Sequence, residues 1–205
     1  RTATIWVKVN DILESNTNIY GYYGKSGATS ASNGTNTFII FDDFDGVSLD
    51  TAIWTQVNGN AATFSSSWVT IAANAADPSK LVADVDGAGP TSNNVGIRAL
   101  IQGIGGTNAD ERSGVSVKTT LADGKGYCWL VHDFSTLAEG GKFLDDAIAW
   151  GTNRITNWEK DTNYIFEIYH DGTNIVGRRD DGTWYTWTRS GRTGYLALTF
   201  GSFDG

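Results

Sequence analysis

Turn pairs divide this chain more insistently than any other signal. Asp-Gly stands at 45–46, 86–87, 123–124, 171–172, 181–182 and 204–205, and Asn-Gly at 33–34 and 58–59. Both pairs accept the positive φ angles that tight hairpin turns require. Between them lie short segments rich in β-branched and aromatic residues, and no segment keeps a helical period. The pattern predicts an all-β chain of many short antiparallel strands, closed into a sandwich or barrel.

Strands are expected near Thr4–Val9, Asn18–Tyr23, Thr37–Phe41, Thr55–Val57, Trp68–Ala72, Val95–Gln102, Gly114–Thr120, Tyr127–His132, Ala147–Trp150, Tyr164–Tyr169, Asn174–Arg179, Thr183–Thr188 and Tyr195–Gly201. Leu137–Leu144 is expected to hold at most a single turn, because Gly140-Gly141 interrupts it. Alternation places Tyr164, Phe166 and Ile168 on one face with Glu167 opposite, and makes Leu196, Leu198 and Phe200 a core stripe. In Tyr127–Asp133 either face reads as core.

Charge and composition exclude several classes. The formal net charge is −8, and among 15 basic residues Arg178-Arg179 is the one adjacent pair, so a phosphate-binding stripe is absent. No apolar run approaches the roughly 18 residues of a membrane span, and no Lys/Arg-headed signal segment precedes the first expected strand. Cys128 is the sole cysteine, so no disulfide forms within the chain. It reads as an inert core thiol with no basic neighbour in sequence. His132 and His170 read as satisfied hairpin or surface residues, and Asp133 points away from its neighbour His132 on a strand.

Two resemblances follow from motifs. Ile5-Trp6-Val7-Lys8-Val9 followed by Ile19-Tyr20-Gly21-Tyr22-Tyr23-Gly24 resembles the C-terminal half of a domain of unknown function found in large archaeal and bacterial surface proteins. Here Asn10 replaces a frequent proline and Lys25 a frequent asparagine. From Phe41 onward the chain resembles the concanavalin A-like lectin/glucanase superfamily. That likeness rests on Phe41-Asp42-Asp43-Phe44-Asp45-Gly46, Leu49-Asp50, Ile53-Trp54, the Tyr164 to Gly182 hairpin and the final strand. The implied fold is a two-sheet antiparallel jelly-roll sandwich over residues 41–205, preceded by a short N-terminal β segment over residues 1–40. Members of the superfamily include lectins, glycan-binding modules, laminin-G-like adhesion modules and glycosidases, and fold does not choose among them.

Catalysis is not expected. Glycosidases of the superfamily carry E-x-D-x-x-E on one strand, with the two carboxylates at a working separation. The nearest match here, Glu159-Lys160-Asp161, falls in a turn and ends on Tyr164. The resemblance also implies a structural calcium joining the first and last strands, with Asp43, Asp45 and Asp204 as ligands, since hard oxygen donors suit that ion.

Tryptophan, at eight residues, is the remaining signal. Sugar rings stack their axial C–H faces on aromatic rings, while Asp, Asn and Arg satisfy hydroxyls. Arg98, Trp129, Trp150, Trp158 and Trp187 are the expected contacts to a polysaccharide or glycoconjugate. Trp184 and Trp187 must face opposite sides of their segment, so at least one leaves the core. The reading is a non-catalytic glycan-binding or adhesive module at the cell surface or outside it. The alternative is a structural filament subunit that self-assembles by adding the alternating strand Thr2–Val9 to a neighbour's sheet.

Overall fold

The computed structural model describes residues 5–9, 18–20, 25–71, 79–84, 95–102, 110–134, 137–145, 149–189 and 191–202. The chain divides into two units, Arg1–Asp43 and Phe44–Gly205.

In the first unit the described residues form one short helix, α1 (Gly34–Thr37), and no strand. Asn33 caps it: its side-chain carbonyl accepts the Asn36 backbone N–H at 2.8 Å. Asn-Gly here starts a helical turn instead of a hairpin, because asparagine serves as readily for an N-cap as for a turn. The strand expected at Thr37–Phe41 is displaced by the helix end. Ile5–Val9 and Asn18–Tyr20 enter no ladder; the rest of those two expected strands lies outside the described residues. Side chains organise this unit instead: Trp6 meets Phe38 edge-on and Phe38 stacks on Phe41.

Among the described residues of the second unit, every regular element is a strand. In chain order come β1 (Trp54–Val57), β2 (Thr63–Ser65), β3 (Trp68–Thr70), β4 (Ser79–Ala83), β5 (Val95–Gln102), β6 (Asp110–Thr119), β7 (Tyr127–Phe134), β8 (Leu137–Asp145), β9 (Ala149–Ile155), β10 (Asn163–His170), β11 (Asn174–Arg179), β12 (Tyr185–Thr188) and β13 (Tyr195–Ser202). Seven of them make one antiparallel sheet in the order β1-β4-β13-β6-β7-β8-β9. Four more make a second, β12-β11-β10-β5, and β2-β3 is a separate hairpin.

The two large sheets pack as a sandwich, and their contact is aromatic. Trp129 of β7 lies 4.6 Å from Phe143 of β8, 6.3 Å from Phe166 of β10 and 5.9 Å from Tyr185, by ring centroids. Tyr127 meets His170 and Trp187, and Phe143 stacks on Trp187. The Trp129 indole N–H donates to the Arg178 carbonyl at 2.9 Å, a hydrogen bond from one sheet to the other.

Both faces of β7 are buried, which resolves the ambiguity of its sequence. Tyr127, Trp129 and Val131 face the four-stranded sheet. Cys128 and Leu130 join Leu144 in an apolar cluster on the other face. That second face also encloses Lys80, which is fully buried. Its ammonium donates to Thr199 Oγ1 at 2.9 Å, Cys128 Sγ at 3.1 Å and Ser116 Oγ at 3.4 Å. The thiol has no basic neighbour in sequence, but the fold supplies one from a strand 48 residues away.

Leu137–Asp145 is a full strand, contrary to the single turn expected there. β7 and β9 pair with it on either side, and register shifts absorb the irregularity near Gly141. Glycine is required at that point, since a Cβ on Gly141 would stand 2.8 Å from the Trp129 ring. His170 is satisfied as expected: Gly172 N–H donates to its Nδ1 at 3.0 Å, and Nε2 donates to the Arg189 carbonyl at 3.1 Å. With both nitrogens so engaged, the neutral Nε2–H tautomer is fixed.

Candidate functional site

The outer face of the four-stranded sheet carries a compact arrangement of charge and aromatic surface. Register sets it. Arg98 of β5 lies opposite Glu167 of β10, and Glu167 lies opposite Arg178 of β11, so three charged residues of alternating sign form one cross-strand row. These positions alternate with Ile97, Phe166, Ile168 and Gly177, which point inward, so the row faces away from the core.

Glu167 holds the row together. Arg98 approaches its Oε1 at 2.8 Å, and the Nε of Arg178 donates to its Oε2. Its side chain is only 8% exposed, a burial a carboxylate tolerates when each oxygen meets a guanidinium. Asp181, in the turn after β11, adds a second carboxylate. Arg98 donates to it through both terminal nitrogens, at 3.0 and 3.3 Å, and Arg178 approaches the same carboxylate at 3.1 Å. The hydrogen bond from Arg98 holds Asp181 below the usual carboxylate range, with the Arg98 and Arg178 charges acting in the same direction. Asp181 in turn raises Arg98.

Aromatic surface borders this lattice. The Arg178 guanidinium stacks over Trp184 at 4.4 Å, and Tyr169 meets Trp184 edge-on at 5.4 Å. Trp184 is thus held in orientation by a cation on its face and a ring at its edge, yet it remains 42% exposed. Leu100 extends the exposed surface along β5. A flat aromatic face beside fixed guanidinium donors and carboxylate acceptors can hold a polar ring in one orientation. Glu167, committed to two arginines, is not placed as a free base.

Of the residues expected to contact ligand, Arg98 lies in this cluster. Trp129 does not: it has no exposed surface, because it fills the space between the sheets. Trp187 faces inward onto Phe143 and Tyr127 and is covered by Arg189 at 4.2 Å. Trp158 is half-buried in the connection from β9 to β10, and its indole nitrogen is buried without a hydrogen bond among the described residues. Trp150 is a β9 residue paired with Leu144; its side chain lies outside the described residues. The residues not anticipated are Glu167, Tyr169, Arg178, Asp181 and Trp184. Opposite parity of Trp184 and Trp187 was the signal for the last of these.

Of the expected calcium ligands, Asp43 and Asp45 are exposed and Asp204 lies outside the described residues. Among the described residues no three His, Cys, Asp or Glu side chains gather as metal ligands. No described helix is long and apolar enough to cross a membrane.

Residues 1–57 match the family described as "Domain of unknown function (DUF2341)". No curated protein matches the chain. Among solved structures, the carbohydrate-binding module CBM66 from Bacillus subtilis aligns with a TM-score of 0.57 at 16% identity, covering 73% of this chain and 92% of that one. At that identity the likeness is one of fold, and it matches the sandwich described above.

Proposed function

We propose that the sandwich is a non-catalytic glycan-binding module, of concanavalin A-like type and displayed outside the cell, that binds sugar on the outer face of the four-stranded sheet. The observation that carries the reading is Trp184: an exposed indole fixed by Arg178 and Tyr169 beside a ready-made lattice of donors and acceptors. An apolar side chain of that size, left in water but held rigid, suits stacking with a pyranose or furanose face, and rigidity lowers the entropic cost of binding. The fold shared with a carbohydrate-binding module supports the same reading. The ligand contacts are Arg98, Tyr169, Arg178 and Trp184, with Glu167 as the positioning residue between the two arginines.

Affinity electrophoresis of the whole chain through gels containing soluble neutral or acidic polysaccharides tests it. The expected result is retardation by at least one polymer, lost in Trp184→Ala and unchanged melting of that variant. Retardation by no polymer, or equal retardation of wild type and Trp184→Ala, overturns the proposal.

One observation favours a second reading, a filament subunit assembled by strand addition. Ile5–Val9 enters no ladder among the described residues, and Ile5 and Val7 are exposed. Polymers seen by negative-stain microscopy that vanish when residues 1–9 are deleted would support it, and polymers persisting without them would overturn it.

A further inference from the structure

Asp181 and Glu167 share the same two arginines, but they are not equivalent. Glu167 sits mid-strand with an 8% exposed side chain. Asp181 sits on a turn with a 45% exposed side chain and a φ of 56°. One carboxylate is built into the sheet; the other reaches onto it from outside. We infer that Asp181 occupies the place of a ligand carboxylate, and that the module's preferred partner is an acidic glycan bearing uronate groups. This rests on the glycan-binding reading of the same face.

Charge supports the inference. Two guanidiniums and one fixed carboxylate leave a single positive charge on the row once Asp181 swings away, and one uronate neutralises it. Geometry supports it too. Asp181 takes both terminal nitrogens of Arg98 and one of Arg178, the two-nitrogen recognition that guanidinium gives a planar carboxylate. Each arginine keeps Glu167 when Asp181 leaves, so neither is stranded. The exchange is cheap, because exposed ion pairs are weak. Arg178 also lies on the Trp184 ring, so the anion site and the stacking surface share a side chain. A neutral sugar would use the indole but leave this carboxylate site to Asp181.

The test compares polygalacturonate with its methyl ester, the same backbone without charge, in affinity electrophoresis and titration calorimetry on the full chain. The chain's net charge of −8 opposes diffuse attraction to a polyanion, so retention reports a local site. The expected result is tighter binding of the acid than of the ester. Asp181→Asn, which tolerates the positive φ, should bind the acid about two- to fivefold more tightly because its internal competitor is gone. Asp181→Gly should do the same without the side chain, and Arg98→Gln should weaken acid binding. Acid and ester bound equally, or Asp181→Asn and Asp181→Gly both binding the acid no better than wild type, would overturn the inference and leave the glycan-binding proposal standing on neutral polymers. Binding to no polymer at all would sink both.

Discussion

The indole of Trp129 lies directly against the backbone of Gly177, across the sandwich: a Cβ at 177 would stand 2.9 Å from two of its ring atoms and 3.2 Å from Phe143. Gly141 approaches the same indole from its own sheet. The largest core side chain is thus accommodated by two missing ones. Gly177→Ala should cost about 1–3 kcal/mol by overpacking, read as a lower urea midpoint with unchanged slope. A neutral substitution would mean that the sheets can separate locally at no cost.

Trp187 separates the two roles open to an aromatic in this fold. It packs on Phe143 and Tyr127 behind Arg189. Trp187→Ala should therefore destabilise by about 2–4 kcal/mol, near the range for large core truncations, while glycan retention of the folded protein is kept. Trp184→Ala should show the reverse. If Trp187→Ala removes retention without lowering the melting temperature, the inner placement of Trp187 is wrong.

Acid should weaken the fold through three carboxylates. Side-chain donation by Thr120 lowers Asp123, the backbone N–H of Asn174 lowers Asp171, and Arg98 lowers Asp181. Each is depressed in the folded state relative to about 3.9 unfolded. Their contribution is complete above that value and is lost as pH falls through the lower folded values. Melting temperature should stay flat from pH 7 to about 5 with respect to these groups, then fall below about 4. Asp171→Asn should flatten the acid limb. A variant series with identical acid limbs would show that the depressed carboxylates do not govern it.

Lys80 is buried with its ammonium on Ser116, Cys128 and Thr199. Lys80→Ala removes these donors and opens a cavity, so a loss of about 2–5 kcal/mol is expected. Native Cys128 should resist a bulky thiol reagent, and the variant should react faster. Rapid labelling of the wild type would contradict the burial of this thiol.

Fold class was readable because turn pairs and alternation are local. The elements missed were hidden by different causes. β4 (Ser79–Ala83) carries a lysine that only the tertiary structure buries, so its pattern looked like no strand. β2 (Thr63–Ser65) was missed although its partner near Trp68 was expected, because their hairpin turns on Ser66-Ser67 at φ 53° and 61°, a conformation usually announced by Asn-Gly. Leu137–Asp145 hid behind Gly140-Gly141, and the need for Gly141 is visible only with Trp129 in place. Residues 5–9 alternate as a strand should yet enter no ladder among the described residues, since alternation specifies a face and not a partner.

The binding face was half readable because its charged row joins β5 to strands far from it in the chain. Arg98, a charge between apolar Ile97 and Ala99, is legible from its strand alone. Its row with Glu167 and Arg178 exists only through the registers of β5, β10 and β11, which no local signal encodes. Trp129 and Trp187 were drawn to the surface by counting aromatics, whereas a two-sheet core absorbs rings of that size first.

The seven-stranded sheet is ordered β1-β4-β13-β6, so its early and middle strands are joined by a late one. On the ribosome, β4 and β6 have no common neighbour until Tyr195–Ser202 has been made and has cleared the exit tunnel. The sheet cannot be zipped progressively from its amino-terminal side. Emerging chain must hold Leu81, Val82 and their strand mates away from other chains for most of translation. A product that stops before β13 thus leaves β1-β4 and β6-β7-β8-β9 as two part-sheets, each with an unpaired edge open to other chains.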